Sequence, residues 1–519
     1  MSNLLLVIRI RSAPWREALS TIDMRALEIN SAALGVSTLL LMENAGRSVA
    51  EVVASRLDRS VKIAVVAGRG GKAGDGFVAA RHLRGLGFYV EIFLTSDPEA
   101  IRHEDAKRNY EILSRGHSVK ISRYERGVLK NFDVVIDAML GTGVRGRVRG
   151  VIADAINEIN NLGKFVVAID VPSGLDPDTG EILGECVNAN VTVTMHAPKK
   201  GLVNKRECVG ELIVADIGIP AEAWEDIGPG DVEARILKRE KTAKKGDAGR
   251  ILVIAGSENY VGAPWITALA AWSAGSDLVY LASPRKVLDK SFSPEIIPIE
   301  LGEKYVTREA IDVLRDHIAK ADAVAIGPGV GLFREVREAI PEIINETLSR
   351  NKPMVIDADA LKILAENRIK LKWRAVLTPH LGEASILLRK ELSNDKESRV
   401  RAAKEISEEF EAVVIVKGYL DAVCESSRCR VRSLIGNPDM ARGGTGDVLT
   451  GIVASLIPRT RTLFDAACAG VAINAIAGEI AYRLYGASTP MNLIKLIPRV
   501  IKDPLKYYVE ALENRSRGS

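Results

Sequence analysis

The sequence has few aromatic residues, few cysteines and little net charge, and each of these limits what the protein can do. Its 519 residues include no glutamine, only 5% aromatic side chains, and five cysteines without a Cys-x-x-Cys pair. So few aromatics suggest no stacking platform for nucleic-acid bases, and the cysteine spacing offers no structural zinc site. The formal net charge is only +4, so neither nucleic acid nor an anionic membrane is expected as the main partner.

Long hydrophobic runs are also missing, since no stretch reaches the roughly 18 uninterrupted apolar residues of a spanning helix. The apolar run at residues 4–8 is short and is followed by arginines, which favours a leading strand or an over-extended start over a signal peptide. An intracellular, cytoplasmic protein is therefore expected. The missing glutamine and abundant Lys, Arg and Glu favour a thermophile, in which a Cys424–Cys429 disulfide is also compatible with the cell interior.

Two blocks of alternating strands and helices follow one another. In the first, residues 20–220, apolar runs predict strands at 61–66, 90–94, 134–137 and 165–170, with a helix at about 77–86. In the second, residues 241–505, strands are predicted at 251–254, 323–326, 354–356 and 413–416. This alternation predicts mostly parallel sheets with helices on both faces. We predict two three-layer α/β domains, residues 1–225 and 245–519, with a linker at 226–244.

A glycine-rich segment, residues 68–76 (GRGGKAGDG), follows the first predicted strand. Glycines let the backbone approach a ligand closely, and their amides, together with the next helix N-terminus, make an anion site. The spacing differs from the G-x-G-x-x-G dinucleotide fingerprint. A merely tight strand–helix turn is the alternative.

Two further strand ends carry acids, Asp137 and Asp170. A glycine-rich loop with Arg145 and Arg147 follows Asp137 and offers bidentate contacts to a pyrophosphate. Asp170 precedes a Pro-Ser-Gly turn that contains Ser173. Because strand ends in such sheets share one edge, both acids are expected to face one cleft. Alternatively, they serve as turn or cap residues.

With residues 20–28 and 41–46, these motifs resemble the NAD(P)H-hydrate epimerase family over nearly the whole first block. The resemblance implies a Rossmann-like fold and interconversion of the R and S epimers of NADH or NADPH that carry water on the nicotinamide ring. It implies that Asp170 is the acid/base group. It places the substrate against Asp170 and against Gly71, Lys72, Ala73, Gly74, Asp75, Gly141, Thr142, Gly143, Val144, Arg145, Gly146 and Arg147.

One departure from this family concerns a potassium ion. The family's glycine turn usually reads Asn-Asn-Gly-Gly-Asp, and its second Asn binds K⁺ together with residues that correspond to Asp137 and Ser173. Here Gly71, Lys72 and Ala73 replace Asn-Asn-Gly. We hypothesise that the Lys72 ammonium replaces the ion. The alternative is that epimerase activity is weakened or lost.

The strongest local signal is the segment 437–451 (NPDMARGGTGDVLTG), which opens an apolar helix. Its glycine-rich amides and the helix dipole predict an anion hole for a phosphoryl group in transfer. Asp447 is placed to take a proton from the attacking hydroxyl. No Walker pattern occurs; the segment resembles the ribokinase-like superfamily, with a purely structural glycine turn as the alternative.

Further motifs lie between about 245 and 478: 245–250 (KGDAGR), 256–264 (GSENYVGAP), 293–295 (SPE), 327–331 (GPGVG), 357–361 (DADAL), 377–383 (LTPHLGE) and 416–418 (VKG). Together they resemble the ADP- or ATP-dependent NAD(P)H-hydrate dehydratase. The resemblance implies that the hydrate is phosphorylated, with Asp447 as base, and that phosphate is then eliminated. It implies Mg²⁺ organised by Glu383 through water and phosphate. Substrate contacts are implied at Ala263, Gly329, Gly331, His380 and Asp447, and nucleotide contacts at Lys417, Gly418, Tyr419, Leu420, Asp421, Gly443, Gly444, Thr445 and Gly446.

A fusion of epimerase and dehydratase is a known arrangement in this family, which also implies a homo-oligomer. ADP and ATP, and the hydrates of NADH and NADPH, fit the sequence equally. The main alternative is a kinase for a vitamin precursor with an N-terminal ligand-binding module. A third interpretation makes the first block a binding scaffold, which the modest net charge does not favour.

Overall fold

The computed structural model describes residues 18–203 and 206–517, so the strand predicted at residues 4–8 lies outside the described residues. The chain divides into two compact units, Met1–Pro220 and Ala221–Ser519. Each unit is built on one sheet with helices on both faces, as the alternation of strands and helices predicts.

The sheet of the first unit is parallel throughout its described residues and has the order β3-β2-β1-β4-β5-β6-β7. The strand order reverses direction between β1 and β4, and in open α/β sheets ligands bind at such a switch point. The strands are β1 (Lys62–Ala67), β2 (Tyr89–Leu94), β3 (Lys120–Arg123), β4 (Val134–Ala138), β5 (Phe165–Ile169), β6 (Val191–Met195) and β7 (Glu211–Ala215).

Helices cover both faces of this sheet because alternate strand residues point to opposite sides. On β1, Ile63 and Val65 belong to one apolar cluster, whereas Ala64 and Val66 belong to another on the opposite face. The helices are α1 (Thr21–Ala33), α2 (Thr38–Ala54), α3 (Gly71–Gly85), α4 (Glu104–Gly116), α5 (Val151–Asn161), α6 (Lys200–Val203) and α7 (Arg206–Val209), with 3-10 turns at Pro98–Ala100 and Val128–Asn131.

The second unit's sheet has the order β10-β9-β8-β11-β12-β13-β14-β15-β16 in the described chain. It is parallel up to β14 and ends in two antiparallel strands, which the Cys424–Cys429 disulfide links. The strands are β8 (Arg250–Ile254), β9 (Leu278–Ser283), β10 (Ile296–Glu300), β11 (Ala323–Ile326), β12 (Met354–Ile356), β13 (Ala375–Leu377), β14 (Val413–Val416), β15 (Asp421–Glu425) and β16 (Arg428–Arg432).

The helices of the second unit also form two layers. They are α8 (Ala221–Glu225), α9 (Pro229–Glu233), α10 (Gly262–Ser273), α11 (Arg285–Leu288), α12 (Ala310–Lys320), α13 (Arg334–Ser349), α14 (Asp359–Asn367), α15 (Leu381–Leu388), α16 (Lys396–Phe410), α17 (Thr445–Leu456), α18 (Leu463–Tyr485), α19 (Pro490–Lys502) and α20 (Pro504–Arg517), with 3-10 turns at Pro438–Met440 and Ile457–Arg459.

One helix of the described chain, α18, is long and apolar enough to cross a membrane, and the bent pair of α1 and α2 would pass the same test as a second span. Within the second unit, 94% of the apolar window of α18 is buried, and the helix packs beside α17, α19 and α20. A helix that is hydrophobic on all sides occupies this position in the core of a large unit.

Two predicted boundaries differ from the structure. The helix expected at about residue 77 begins at Gly71, so the glycine-rich segment supplies its first turn. The segment predicted as a linker, 226–244, starts inside the second unit. There Asp231 is fully buried in ion pairs with Arg235 and Arg430. Its anchors are these charges together with the buried but irregularly spaced Ile227, Val232 and Ile236, so the hydrophobic pattern did not reveal the packing.

Candidate active sites

In the first unit, Lys72 lies at the switch point between β1 and β4. Its side chain is only 3% exposed, in the first turn of α3. The ammonium nitrogen lies 2.9 Å from Asp137 Oδ2, 3.2 Å from Ser173 Oγ, 3.1 Å from the Leu140 carbonyl oxygen and 2.7 Å from that of Val171. Four oxygens, one of them a carboxylate oxygen, therefore surround a single positive charge.

Asp137 and Ser173 are held in place independently of Lys72. The Ser173 hydroxyl donates to Asp137 Oδ1 at 2.6 Å, and the Ser173 amide donates to Oδ2 at 2.7 Å. The Met139 amide adds a third donor at 3.1 Å. Both side chains are fully buried. These bonds fix the ends of β4 and β5 relative to each other and fix the oxygens that surround the Lys72 ammonium.

Asp170 follows β5 and takes a positive φ of 60°, a conformation uncommon outside glycine. Its Oδ1 accepts from Lys199, and also from the Thr194 hydroxyl at 3.2 Å and the Met195 amide at 3.3 Å. Burial would raise the pKa of Asp170, but the Lys199 ammonium holds that pKa below its ordinary value. Asp170 is thus an anion near neutral pH.

Two other acids near Asp170 behave differently. Burial raises the pKa of Asp75 well above its ordinary value, and the charge of Asp170 raises it further. Burial also raises the pKa of Glu28 to about 7, against the opposing charge of Lys199. The cleft of the first unit therefore combines an ionised carboxylate with carboxyl groups that retain a proton near neutral pH, which is the division of roles required for acid/base chemistry.

The predicted loop 141–147 follows β4 and passes beside Lys72. A Cβ on Gly141 would lie 3.3 Å from the Lys72 Cβ, so the loop begins beside the lysine. The Arg147 side chain packs over Gly184, and the charge of Arg145 acts on Asp176. The structure brings together the predicted residues 71–75, Asp137, Gly141, Asp170 and Ser173, and it places Arg147 against Gly184.

In the second unit, polar residues follow three neighbouring strands. Asp357 comes after β12, Thr378 after β13 and Lys417 after β14. The Lys417 ammonium lies 2.7 Å from Asp357 Oδ1, and the Thr450 hydroxyl donates to Asp357 Oδ2 at 2.7 Å. Since Thr450 lies on α17, this buried carboxylate links the sheet edge to the helix that carries Asp447.

The glycine-rich turn 443–446 leads into α17, as predicted. Gly444 is the N-cap residue with a φ of 94°, and a Cβ on Gly446 would lie 3.2 Å from the Lys417 nitrogen. Lys417 therefore sits against the turn whose amides are predicted to bind an anion. Burial raises the pKa of Asp447 to about 6, and the charge of Asp357 contributes in the same direction. A carboxylate with this pKa is suited to act as a general base near neutral pH.

His380 and Glu383 cap their own helix, α15. His380 Nδ1 accepts from the Gly382 amide at 3.0 Å, and Glu383 Oε2 accepts from the His380 amide at 2.8 Å. Burial lowers the pKa of His380 and raises that of Glu383 to about 7. His380 Nδ1 thus caps the helix, which is a structural role. The rest of the side chain is accessible, since 61% of it is exposed.

The other predicted contacts of the second unit divide into two groups. Gly329, with a φ of 68°, lies against Tyr260 and Ala263, so the predicted substrate residues on this side are neighbours. On the nucleotide side, Tyr419 is 60% exposed, but the Leu420 side chain belongs to the core. The Asp421 carboxylate accepts from Arg432 at 2.9 Å and from the Gly418 amide at 2.9 Å, so it stabilises its own loop.

The predicted sites omitted several residues that the structure places there. Asp357 ends a strand just as Asp137 does, so the same signal was available for it. Thr450 and Lys199 had no such signal, because their positions depend on contacts with distant segments, those of Asp357 and Asp170. Glu28 lies within a motif that carried the resemblance, but no role followed from that motif.

Two doubly wound units, each with ionisable side chains at the carboxyl edge of its sheet, define a fused α/β enzyme. The family model described as YjeF-related protein N-terminus matches residues 38–201, and the one described as NAD(P)H-hydrate dehydratase matches residues 251–499. The chain belongs to the family of bifunctional NAD(P)H-hydrate repair enzymes. The resemblance seen in the sequence and the predicted α/β fold class are therefore both confirmed.

Relatives with this name match along nearly their full length. One from Hyperthermus butylicus is 42% identical and covers 94% of this chain and 93% of its own. One from Methanothermobacter thermautotrophicus is 40% identical, with 93% and 95% covered. Among solved structures, an ADP/ATP-dependent NAD(P)H-hydrate dehydratase from Bacillus subtilis is 23% identical over 53% of this chain and 97% of that one, with a TM-score of 0.45.

Proposed function

We propose that this protein repairs hydrated NADH and NADPH. Its first unit interconverts the R and S epimers, and its second unit dehydrates the S form at the expense of ADP or ATP. The observation that carries the proposal is the position of Asp447 in the first turn of α17, across a glycine turn from the partly buried Lys417–Asp357 ion pair. Family membership supplies the substrate class.

In the second unit, Asp447 takes the proton from the hydroxyl of the hydrate as that oxygen attacks the terminal phosphoryl group. A P–O bond forms to the substrate, and the bond to the remaining nucleotide breaks. The turn amides and Lys417 stabilise the charge on the transferred group. Phosphate then leaves with the C–O electron pair, and loss of a ring proton restores the double bond. Phosphorylation is needed because hydroxide is a poor leaving group.

Magnesium fits this cleft as an ion that arrives with the nucleotide. Within the described residues, no group of three or more acidic, His or Cys side chains is arranged to hold a metal ion by itself. Glu383, which interacts electrostatically with Lys417 and Asp357, would supply one oxygen, with water and phosphate completing the shell. A bound Mg²⁺ would neutralise phosphate charge during transfer.

In the first unit, we assign Asp170 as the acid/base group because it is ionised, partly exposed and fixed at the end of β5. A potassium ion does not fit beside it, since the Lys72 ammonium already lies among the four oxygens that would ligate a cation. We therefore propose that Lys72 replaces potassium and that no step of the epimerisation passes through a metal ion.

The decisive experiment mixes the purified protein with hydrated NADH and with ADP or ATP, and follows absorbance of the reduced nicotinamide. Recovery from both epimers, with release of free phosphate, is the expected result. A stable phosphorylated product would instead support the vitamin-precursor kinase. If the S epimer is converted to NADH but the R epimer is converted no faster than it epimerises spontaneously, epimerisation by the first unit is contradicted. Self-association stays a prediction that light scattering tests.

A further inference from the structure

Lys199 is an almost completely buried cation in the cleft of the first unit. It lies between β6 and α6, and its side chain is 1% exposed. The ammonium donates to Asp170 Oδ1, to Thr194 Oγ1 at 3.1 Å and to the Met195 carbonyl oxygen at 2.9 Å. These three acceptors match its three N–H donors. A buried ammonium is costly unless it is paired, so the surroundings are built for an ion pair.

The same contacts leave the two oxygens of Asp170 in different environments. Oδ1 receives three donors, whereas no hydrogen bond from the described part of the chain reaches Oδ2. The side chain is 15% exposed, so it remains accessible from the cleft. The left-handed backbone at Asp170 persists only because surrounding structure enforces it, and strain of this kind concentrates at functional sites.

We infer that Lys199 is a positioning residue for epimerisation: its ammonium fixes one oxygen of Asp170 and leaves the other, as an anion, for the hydrate. Lys199 itself does not touch the substrate, because its three donors are already used within the protein. This inference rests on the proposed function of the first unit. It adds a residue that neither the strand-end pattern nor the glycine motifs identify.

The charges facing Asp170 determine what the loss of Lys199 would do. Lys72 on α3 is the other cation that lowers the pKa of Asp170. Asp75 on α3 and Glu28 on α1 are acids whose pKa values burial and the charge of Asp170 raise. His196, after β6, has its pKa lowered to about 4 by burial and by Lys199, so it is neutral near pH 7. Without Lys199, burial and these acids would favour the protonated form of Asp170.

The test compares Lys199→Met with Lys200→Met, the neighbouring lysine on α6, which is exposed. Epimer exchange is measured by NMR as a function of pH, with circular dichroism to establish folding. Removing an opposite charge should raise the pKa of Asp170 by about 1–3 units. The acid limb of the exchange rate should shift upward by that amount in Lys199→Met only. A folded Lys199→Met protein with an unshifted limb would overturn the inference.

Two further measurements test the role of Lys199 even if the wild-type protein does not exchange epimers or Lys199→Met does not fold. The pKa of Asp170, followed by carboxyl-carbon NMR, should rise in Lys199→Met even if the wild-type protein does not exchange epimers. A wild-type protein without exchange would refute the proposed function but not the ion-pair role. If Lys199→Met does not fold, Thr194→Val keeps the cation and removes one donor to Asp170. It should give a smaller upward shift, and no shift would count against the inference.

Discussion

Lys417 and the buried Asp357 form an ion pair at the ends of β14 and β12, two strands separated by β13, with 2.7 Å between the ammonium nitrogen and Oδ1. The second oxygen of Asp357 accepts from Thr450 on α17. One carboxylate thus fixes both the cation beside the glycine turn and the helix that carries Asp447. The geometry of the proposed dehydratase site should therefore depend on Asp357, although this residue is not assigned to contact either substrate.

Asp357→Asn should therefore impair dehydration and change its pH dependence. Loss of this negative charge removes one of the influences that raise the pKa of Asp447, so the acid limb of the rate should move to lower pH. The maximal rate should fall because Lys417 loses its partner. Initial rates from pH 5 to 8 check both effects. Asp312→Asn, at an exposed position of α12, is the control and should leave the profile unchanged. An upward shift in Asp357→Asn would contradict this account.

Asp447→Asn should abolish dehydration. It should leave epimer exchange intact, because Asp447 belongs to the second unit and exchange is assigned to the first. Removal of a general base typically costs about 10²- to 10⁴-fold in rate. In the wild-type protein the base must be ionised, so activity should decline as the pH falls through the pKa of Asp447, about 6. Both activities are measured on one preparation. Dehydration at the wild-type rate would show that the base is another residue.

Lys72→Asn should convert the first unit into one that depends on added potassium. The substitution removes the ammonium and leaves its four oxygens, among them the buried Asp137, without a cation. Removing one partner of a buried pair costs about 3–5 kcal/mol, so the variant should also unfold more readily without K⁺. Calorimetry and exchange rates in sodium and potassium salts test both effects. A potassium requirement in the unsubstituted protein would disprove the replacement.

Asp231→Ala should destabilise the second unit strongly. Asp231 is fully buried between Arg235 and Arg430, and Arg235 also pairs with Asp465 on α18. Its loss leaves a buried guanidinium cluster with less compensating charge, at a cost of about 3–5 kcal/mol in the free energy of unfolding. Glu338→Ala breaks the exposed pair with Arg334 and should cost at most about 1 kcal/mol. Denaturant unfolding compares the two, and equal effects would refute the argument.

The sequence predicts eight of the sixteen strands in the described chain, most of them central, because buried parallel strands are short apolar runs; outer strands such as β3, β7, β10 and β16 are not predicted. The predicted bounds of β11, β12 and β14 coincide with those observed. Prediction is weaker wherever a charge replaces apolar periodicity, as it does around Asp231. Strand-end acids such as Asp137 are visible in the sequence, whereas the Lys199–Asp170 pair arises only when β6 returns beside β5. Side-chain pairing between remote segments carries no local pattern.

Lys72, in the first turn of α3, gives the cleft of the first unit a positive charge that is covalently part of the chain. A cation that belongs to the polypeptide is present once per molecule as soon as the chain folds, and dialysis or desalting cannot remove it. Its occupancy does not follow a binding isotherm. If Lys72 replaces potassium as we propose, the first unit takes no ion from solution for this position, and it loses the exchangeability that a free ion would have.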